Sequence, residues 1–249
     1  MMTDTFQNQL YHFAERYAAH GEPPWTAAAP LLGFRDTRWS FAAPLGEPIW
    51  ELDPTTIQET ELFAAIYRLE HGSRVGLIRI CRYVHSRRTS ETFGDIIGQF
   101  EADTDALLID QQFNPGGSLL QMYALCSYLT DRPLPVPLHQ VKLWPNDVPE
   151  ATDVLDRQKF GEELPEEDRP GPYEITWAQI VLEHAKKGEG VLSDPLPLFG
   201  ISQVEPARRA YSKPIFLLSN TETSSAGEFL AAILKDNGRA VLLGKTTAG

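Results

Sequence analysis

At 249 residues, 42% of them apolar and 22% charged, the chain has the size and make-up of one large or two small globular domains with a buried core. Its formal charge of −12, with no basic stripe to offset it, argues against a nucleic-acid backbone or an anionic lipid surface as ligand. No apolar run reaches the ~18 residues of a membrane span, the polar start Met1-Met2-Thr3-Asp4 is not that of a signal peptide, and Cys81 and Cys126 sit in apolar surroundings as core residues do.

Taken in order, Phe6, Leu10, Phe13 and Tyr17 recur at helical spacing, predicting an amphipathic helix over residues 5–20. Residues 21–49 are rich in Pro, Gly and Ala but carry aromatic side chains that need packing, which predicts an ordered loop; 1–49 is therefore set apart from 50–249. Residues 55–69 fit a helix by pattern, but Leu62–Leu69, a turn at His71-Gly72-Ser73 and Val75–Ile80 fit a hairpin better. Phe93, Ile96, Ile97 and Phe100 share one face of a predicted helix over 89–100. Ala106–Asp110 reads as a buried strand, opening into Gln111-Gln112-Phe113-Asn114-Pro115-Gly116-Gly117 and a helix over 118–129.

From about 146 to 172 the composition turns to Asp, Glu and Pro, predicting an exposed acidic insertion with the character of a lid or a plain solvated connection. A helix over 175–187 follows, then a proline-rich surface crossing over 192–211. The last stretch reads strand (Ile215–Leu218), polar loop with Ser224 and Ser225, helix (Ala226–Asp236) and strand (Ala240–Leu243). Strands alternating with helices predict an α/β fold with a mostly parallel sheet. In such sheets sites form beyond the carboxyl ends of the strands, where loops 111–117 and 219–225 both fall.

Ser225 at a helix start is a candidate nucleophile, with the Ala226 amide and the Gly116-Gly117 loop as oxyanion donors. The same residues have a plainer reading: Ser225-Ala226-Gly227-Glu228 fits a capping box, and Gly116-Gly117 fits a turn. Gly244-Lys245-Thr246 is not a phosphate loop, because position 239, where that loop needs glycine, is Arg. The six histidines (12, 20, 71, 85, 139, 184) form no metal-ligand spacing, so no metal or cofactor is expected; His12 and His184 fall in helical runs as surface or packed residues.

The stretches ALLIDQQFNPGGS and ETSSAGEFLAAILKDNGRAVLLGKTTAG, in that order, resemble the tail-specific (C-terminal-processing) serine protease family. The resemblance covers most of the chain from about Phe41 onward and implies a crotonase/Clp-protease-like fold of repeated strand–helix units. It places the nucleophile at Ser225 and oxyanion donors at Gly116, Gly117 and Ala226, implies a peptide or protein substrate and an exported enzyme, and admits a homodimer. The lysine of the family's Ser–Lys branch would fall one residue beyond Gly249, and Lys245 does not occupy its position. The ending TTAG is closer to a Ser–His–Glu branch whose histidine precedes this chain and whose glutamate follows it. On this reading the chain is a partial catalytic domain that lacks its base. Two rival functions stand beside it: a non-catalytic peptide-binding module, and an acyl-CoA enzyme of the same fold superfamily.

Overall fold

The computed structural model describes residues 47–249 apart from 141, 145, 164, 166–168 and 189–191. The helix expected over 5–20, His12, His20 and nearly all of the loop expected over 21–49 lie outside the described residues. The chain divides into two compact units, one made of the part up to Asp131 together with Pro206–Gly249, the other of Arg132–Glu205.

The first unit is built on a six-stranded sheet in the order β1-β2-β3-β4-β9-β10. A short helix α1 (Pro54–Thr60), capped by Asp53, separates β1 (Trp50–Glu51) from the hairpin of β2 (Leu62–Arg68) and β3 (Arg74–Ile80). The hairpin pairs antiparallel from Leu62–Ile80 to Arg68–Arg74, as the alternation and the Gly72 turn predict. From β3 onward the pairing is parallel, through β4 (Ala106–Asp110) and β9 (Ile215–Ser219) to β10 (Ala240–Gly244). Parallel neighbours need crossovers, supplied by α2 (Arg87–Asp103) between β3 and β4 and by α6 (Ala226–Asp236) between β9 and β10. After β4 comes α3 (Leu119–Ser127).

Both faces of the sheet interior are covered, which is why β2 and β3 read as near-continuous apolar runs. Phe93, Ile97 and Phe100 of α2 are fully buried, on the face that their spacing predicted. Phe100 lies directly over Gly76, where an added Cβ would come 2.3 Å from the ring, and meets Trp50 edge-on at a centroid distance of 5.8 Å. Cys126 is buried, and burial pushes its thiol up to about 12, so it packs as an inert hydrophobe.

The second unit carries α4 (Asp147–Lys159) and α5 (Pro172–Ala185), with short pairs β5 (Leu134–Pro135)–β8 (Gln203–Val204) and β6 (Leu138–His139)–β7 (Leu196–Pro197). The acidic stretch predicted as an exposed insertion thus contains a packed helix. Ala151 and Val154 of α4 are buried in one cluster with Leu143 and with Ala178 and Val181 of α5, and Val148, Leu155, Trp177 and Leu182 pack against it. The crossing over 192–211 is likewise not purely superficial, since Ser193, Val204 and Tyr211 are buried in it. His184 is packed, its Nδ1 donating to the Ile180 carbonyl at 2.9 Å. Among the described residues no helix is long and apolar enough to cross a membrane.

The Phe100–Gly76 contact gives a test of the packing. Gly76→Ala is expected to destabilise the protein by about 1–3 kcal/mol through overpacking, measured by urea denaturation. Pairing it with Phe100→Leu should cost less than the sum of the two single changes, because the second makes room for the first.

Candidate active site

Asp110 at the end of β4 lies opposite Leu218 on β9, so the loops that follow both strands leave the sheet side by side. The Gln111 N–H donates to the Leu218 carbonyl at 3.0 Å and Thr223 Oγ1 to the Gln111 carbonyl at 2.9 Å. Further along, the Phe113 N–H donates to Asn220 Oδ1 at 3.0 Å and the Ser224 N–H to the Asn114 carbonyl at 2.9 Å. Buried side chains complete the seam. Gln111 Nε2 donates to the Gly227 carbonyl at 2.9 Å, while its Oε1 accepts the Tyr83 hydroxyl at 3.1 Å. Asn114 Nδ2 donates to the Ile80 carbonyl at 3.0 Å.

The two serines of the loop have different environments. Ser224 is buried, and its hydroxyl donates to the Pro115 carbonyl at 2.9 Å. Ser225 is exposed, at the first turn of α6, with φ 53° and ψ −120°. An ordinary capping serine looks different: Ser118 at the start of α3 has φ −65° and ψ 117° and accepts the Gln121 N–H. Ser225 makes no such capping bond with its side chain; instead Glu228 Oε2 accepts the Ser225 N–H at 2.7 Å. A non-glycine residue at positive φ costs about 1–3 kcal/mol, which the hydrogen bonds around the loop offset. The same strained strand-to-helix turn is what lifts a serine Oγ out of the sheet edge in nucleophile elbows.

The glycine loop packs against that turn. An added Cβ on Gly116 would come 2.6 Å from Ser225 Cβ and 3.0 Å from the Ala226 nitrogen, and φ there is +97°. On Gly117, at φ +124°, it would come 2.3 Å from the Tyr83 carbonyl oxygen. Tyr83 binds the loop from the other side, donating its N–H to the Gly116 carbonyl at 2.8 Å and accepting the Ser118 N–H at 2.7 Å. The Gly116 N–H is occupied, since it donates to Asn114 Oδ1 at 2.8 Å. Among the described residues the Gly117 and Ala226 amides have no acceptor; Gly117 is exposed and Ala226 is the first residue of its helix, where amides point out of the ladder. Exposed Ser225 thus lies against Gly116 and directly before the Ala226 amide, with the Gly117 amide one residue further along the same loop; backbone N–H groups without acceptors are the kind that hold an oxyanion.

Sequence reasoning placed loops 111–117 and 219–225 at the site but missed what the side chains of Gln111, Asn114 and Thr223 do there, and missed Tyr83 altogether. Polar residues following straight on an apolar strand were a signal for Gln111; Tyr83, amid Arg and His, offered none. Beneath the loop, Arg79 pairs with Asp110 at 2.9 Å with both side chains buried. Burial raises the Asp110 carboxyl above its usual range, against the opposing pull of Arg79 and of the Gln112 N–H. Among the described residues no group of three or more His, Cys, Asp or Glu is placed to hold a metal ion.

Ser225→Gly should stabilise the protein by about 1 kcal/mol in urea denaturation, because glycine adopts φ 53° without strain, an effect opposite to that of most substitutions. Arg79→Met should cost about 3–5 kcal/mol at pH 7 by leaving Asp110 buried and unpaired. With its folded pKa raised above the unfolded value, Asp110 lowers stability at neutral pH; the penalty shrinks as pH falls through the folded pKa toward the unfolded value near 4. The variant should therefore recover stability relative to the parent in urea titrations at progressively lower pH.

The family model described as "Peptidase family S41" matches residues 74–249. A protein of Chlamydia pneumoniae is 35% identical over 238 residues, an alignment covering 86% of this chain and 38% of the relative. One of Chlamydia muridarum is 36% identical over 262 residues, covering 96% of this chain and 43% of the relative. Among solved structures, mature CPAF (the chlamydial protease-like activity factor) complexed with lactacystin superposes with a TM-score of 0.63 at 34% identity, covering 82% of this chain and 44% of that one. The chain thus spans less than half the length of these relatives. With its mixed sheet, its crossover helices and a match running from β3 to Gly249, the chain belongs to peptidase family S41.

Proposed function

We propose that this chain is the part of a serine endopeptidase that carries the nucleophile, Ser225, and the oxyanion donors. The observation that supports it most is the backbone of Ser225, held at φ 53° and ψ −120° and exposed, while its neighbour Ser224 is buried with its hydroxyl bonded. In this reading Ser225 Oγ adds to the carbonyl carbon of a peptide bond while its proton passes to a base. The carbonyl oxygen becomes the oxyanion, received by the Gly117 and Ala226 amides. Gly116 serves by its lack of a side chain, which lets the loop close on Ser225. The oxyanion then collapses, the C–N bond breaks, and the amine leaves with the proton returned from the base. Water hydrolyses the acyl-enzyme and restores Ser225. Family membership and the 34% identical CPAF fold support a peptidase; the substrate in this reading is a peptide or protein, as the family resemblance implies.

Among the described residues no histidine or lysine side chain bonds to the Ser225 hydroxyl, and we propose that the 249-residue chain by itself hydrolyses peptides slowly or not at all. The test is fluorophosphonate labelling read by mass spectrometry, alongside a peptide-hydrolysis assay. Slow labelling at Ser225 but not Ser224, lost in Ser225→Ala, with negligible turnover, is the expected outcome. Saturable peptide binding without labelling would sink the nucleophile and favour a binding module. Turnover of a CoA thioester would point to acyl-CoA chemistry. Robust hydrolysis abolished by Ser225→Ala would overturn only the expected inactivity.

A further inference from the structure

Beyond β10 the chain turns back across the Ser225 loop as a short strap, residues 245–249. Gly244, at φ +100°, permits the turn, since an added Cβ would come 2.2 Å from the Ser219 carbonyl oxygen. The Lys245 N–H then donates to the Ser219 carbonyl at 3.1 Å, Ser219 Oγ to the Lys245 carbonyl at 3.1 Å, and the Ala248 N–H to the Thr223 carbonyl at 2.9 Å. The strap ends on Glu228. Its Oε1 accepts the Gly249 N–H at 2.7 Å while its Oε2 accepts the Ser225 N–H, also at 2.7 Å. Glu228 is held by Ser225 in turn, its own N–H donating to the Ser225 carbonyl at 2.9 Å.

We propose that Glu228 is a positioning residue that couples the docking of strap 245–249 to the backbone of Ser225. One carboxylate serves two amides that belong to different segments, and each is a charge-assisted bond, stronger than a neutral one. With the strap docked, the carboxylate is fixed from both sides, and it holds the Ser225 N–H in the conformation that presents the hydroxyl. With the strap undocked, the carboxylate loses one of its two donors and the strained turn loses an anchor. The arrangement also explains why the Ser225 N–H takes no part in the oxyanion site: it is consumed by Glu228, which leaves that role to Gly117 and Ala226. The strap is thereby a sensor segment: whatever holds or lifts residues 245–249 is read at the serine. The value of the coupling for catalysis rests on Ser225 being the nucleophile, whereas the coupling itself does not.

The test is a mutant cycle on the full 249-residue chain, read by amide chemical shifts in the ¹⁵N-labelled protein. Gly249→Pro removes one donor from the carboxylate and is expected to move the Ser225 amide proton downfield, as Glu228 then serves Ser225 alone. In the Glu228→Ala background the same Gly249→Pro change should leave the Ser225 amide unmoved. Glu228→Gln keeps one neutral acceptor and should speed exchange of the Ala248 amide by roughly three- to tenfold, the scale of a lost partly exposed charge-assisted bond. A Ser225 amide indifferent to Gly249→Pro, or one that responds equally with and without Glu228, overturns the coupling. Should Glu228→Ala fail to fold, Gly249→Pro alone in the parent and in Glu228→Gln decides between these outcomes. Absent fluorophosphonate labelling with an intact cycle would remove the nucleophile and leave the coupling standing.

Discussion

The hydrogen-bonded pairing of β4 with β9, which puts Asp110 beside Leu218, determines where everything at the site can be. Two strands running parallel in the middle of a sheet must end on the same edge, and the loops that leave them must share space. Backbone groups in those loops lose their ladder partners at the same level and find each other instead, as Gln111 does with Leu218 and Ser224 with Asn114. The crossover from β9 to β10 then requires a helix to begin within a few residues of the strand end. A helix start brings unpaired N–H groups and partial positive charge to that edge. Serine, glycine loop and helix amides therefore converge because of strand order, before any side chain contributes.

Side chains make the convergence rigid. Gln111, Asn114 and Thr223 are buried polar groups with their bonding capacity used on the seam. A satisfied network in a low-dielectric interior tolerates little displacement, which suits a turn that must be held against its own backbone preference. The Arg79–Asp110 pair beneath it is of a different kind, since removing either partner leaves a charge with nowhere to go. Arg79 Nε is buried and has no hydrogen-bond partner among the described residues, a cost that the pair carries.

How far the sequence disclosed this depends on the range of the contact. Strands such as Ala106–Asp110 and the helix Ala226–Asp236 were legible to the residue, because an apolar run or a helical repeat is a local signal. The hairpin was legible through its alternation and its glycine turn. The two glycines and Ser225 could be singled out, but not separated from a turn and a cap, because those readings share one local pattern. The Ser225 dihedral angles, set amid contacts from more than a hundred positions away such as the bond from Gln111 to Gly227, are written in no local pattern. Tyr83 was invisible for the same reason, its role being written in contacts with residues 111, 116 and 118. The packing of α4 was missed because Val148, Ala151, Val154 and Leu155 are interspersed with acidic residues, so the stretch reads as solvated.

At the outer edge of the sheet, β10 carries Val241 at 56% and Leu243 at 43% exposure, and among the described residues no strand pairs with its far side. An open apolar edge is a template for another strand. The shared negative charge of −12 per chain opposes such pairing. Salt screens repulsion over nanometre distances and leaves short-range apolar contact intact. For the 249-residue chain, raising the ionic strength is therefore expected to weaken the repulsion that opposes pairing at this edge.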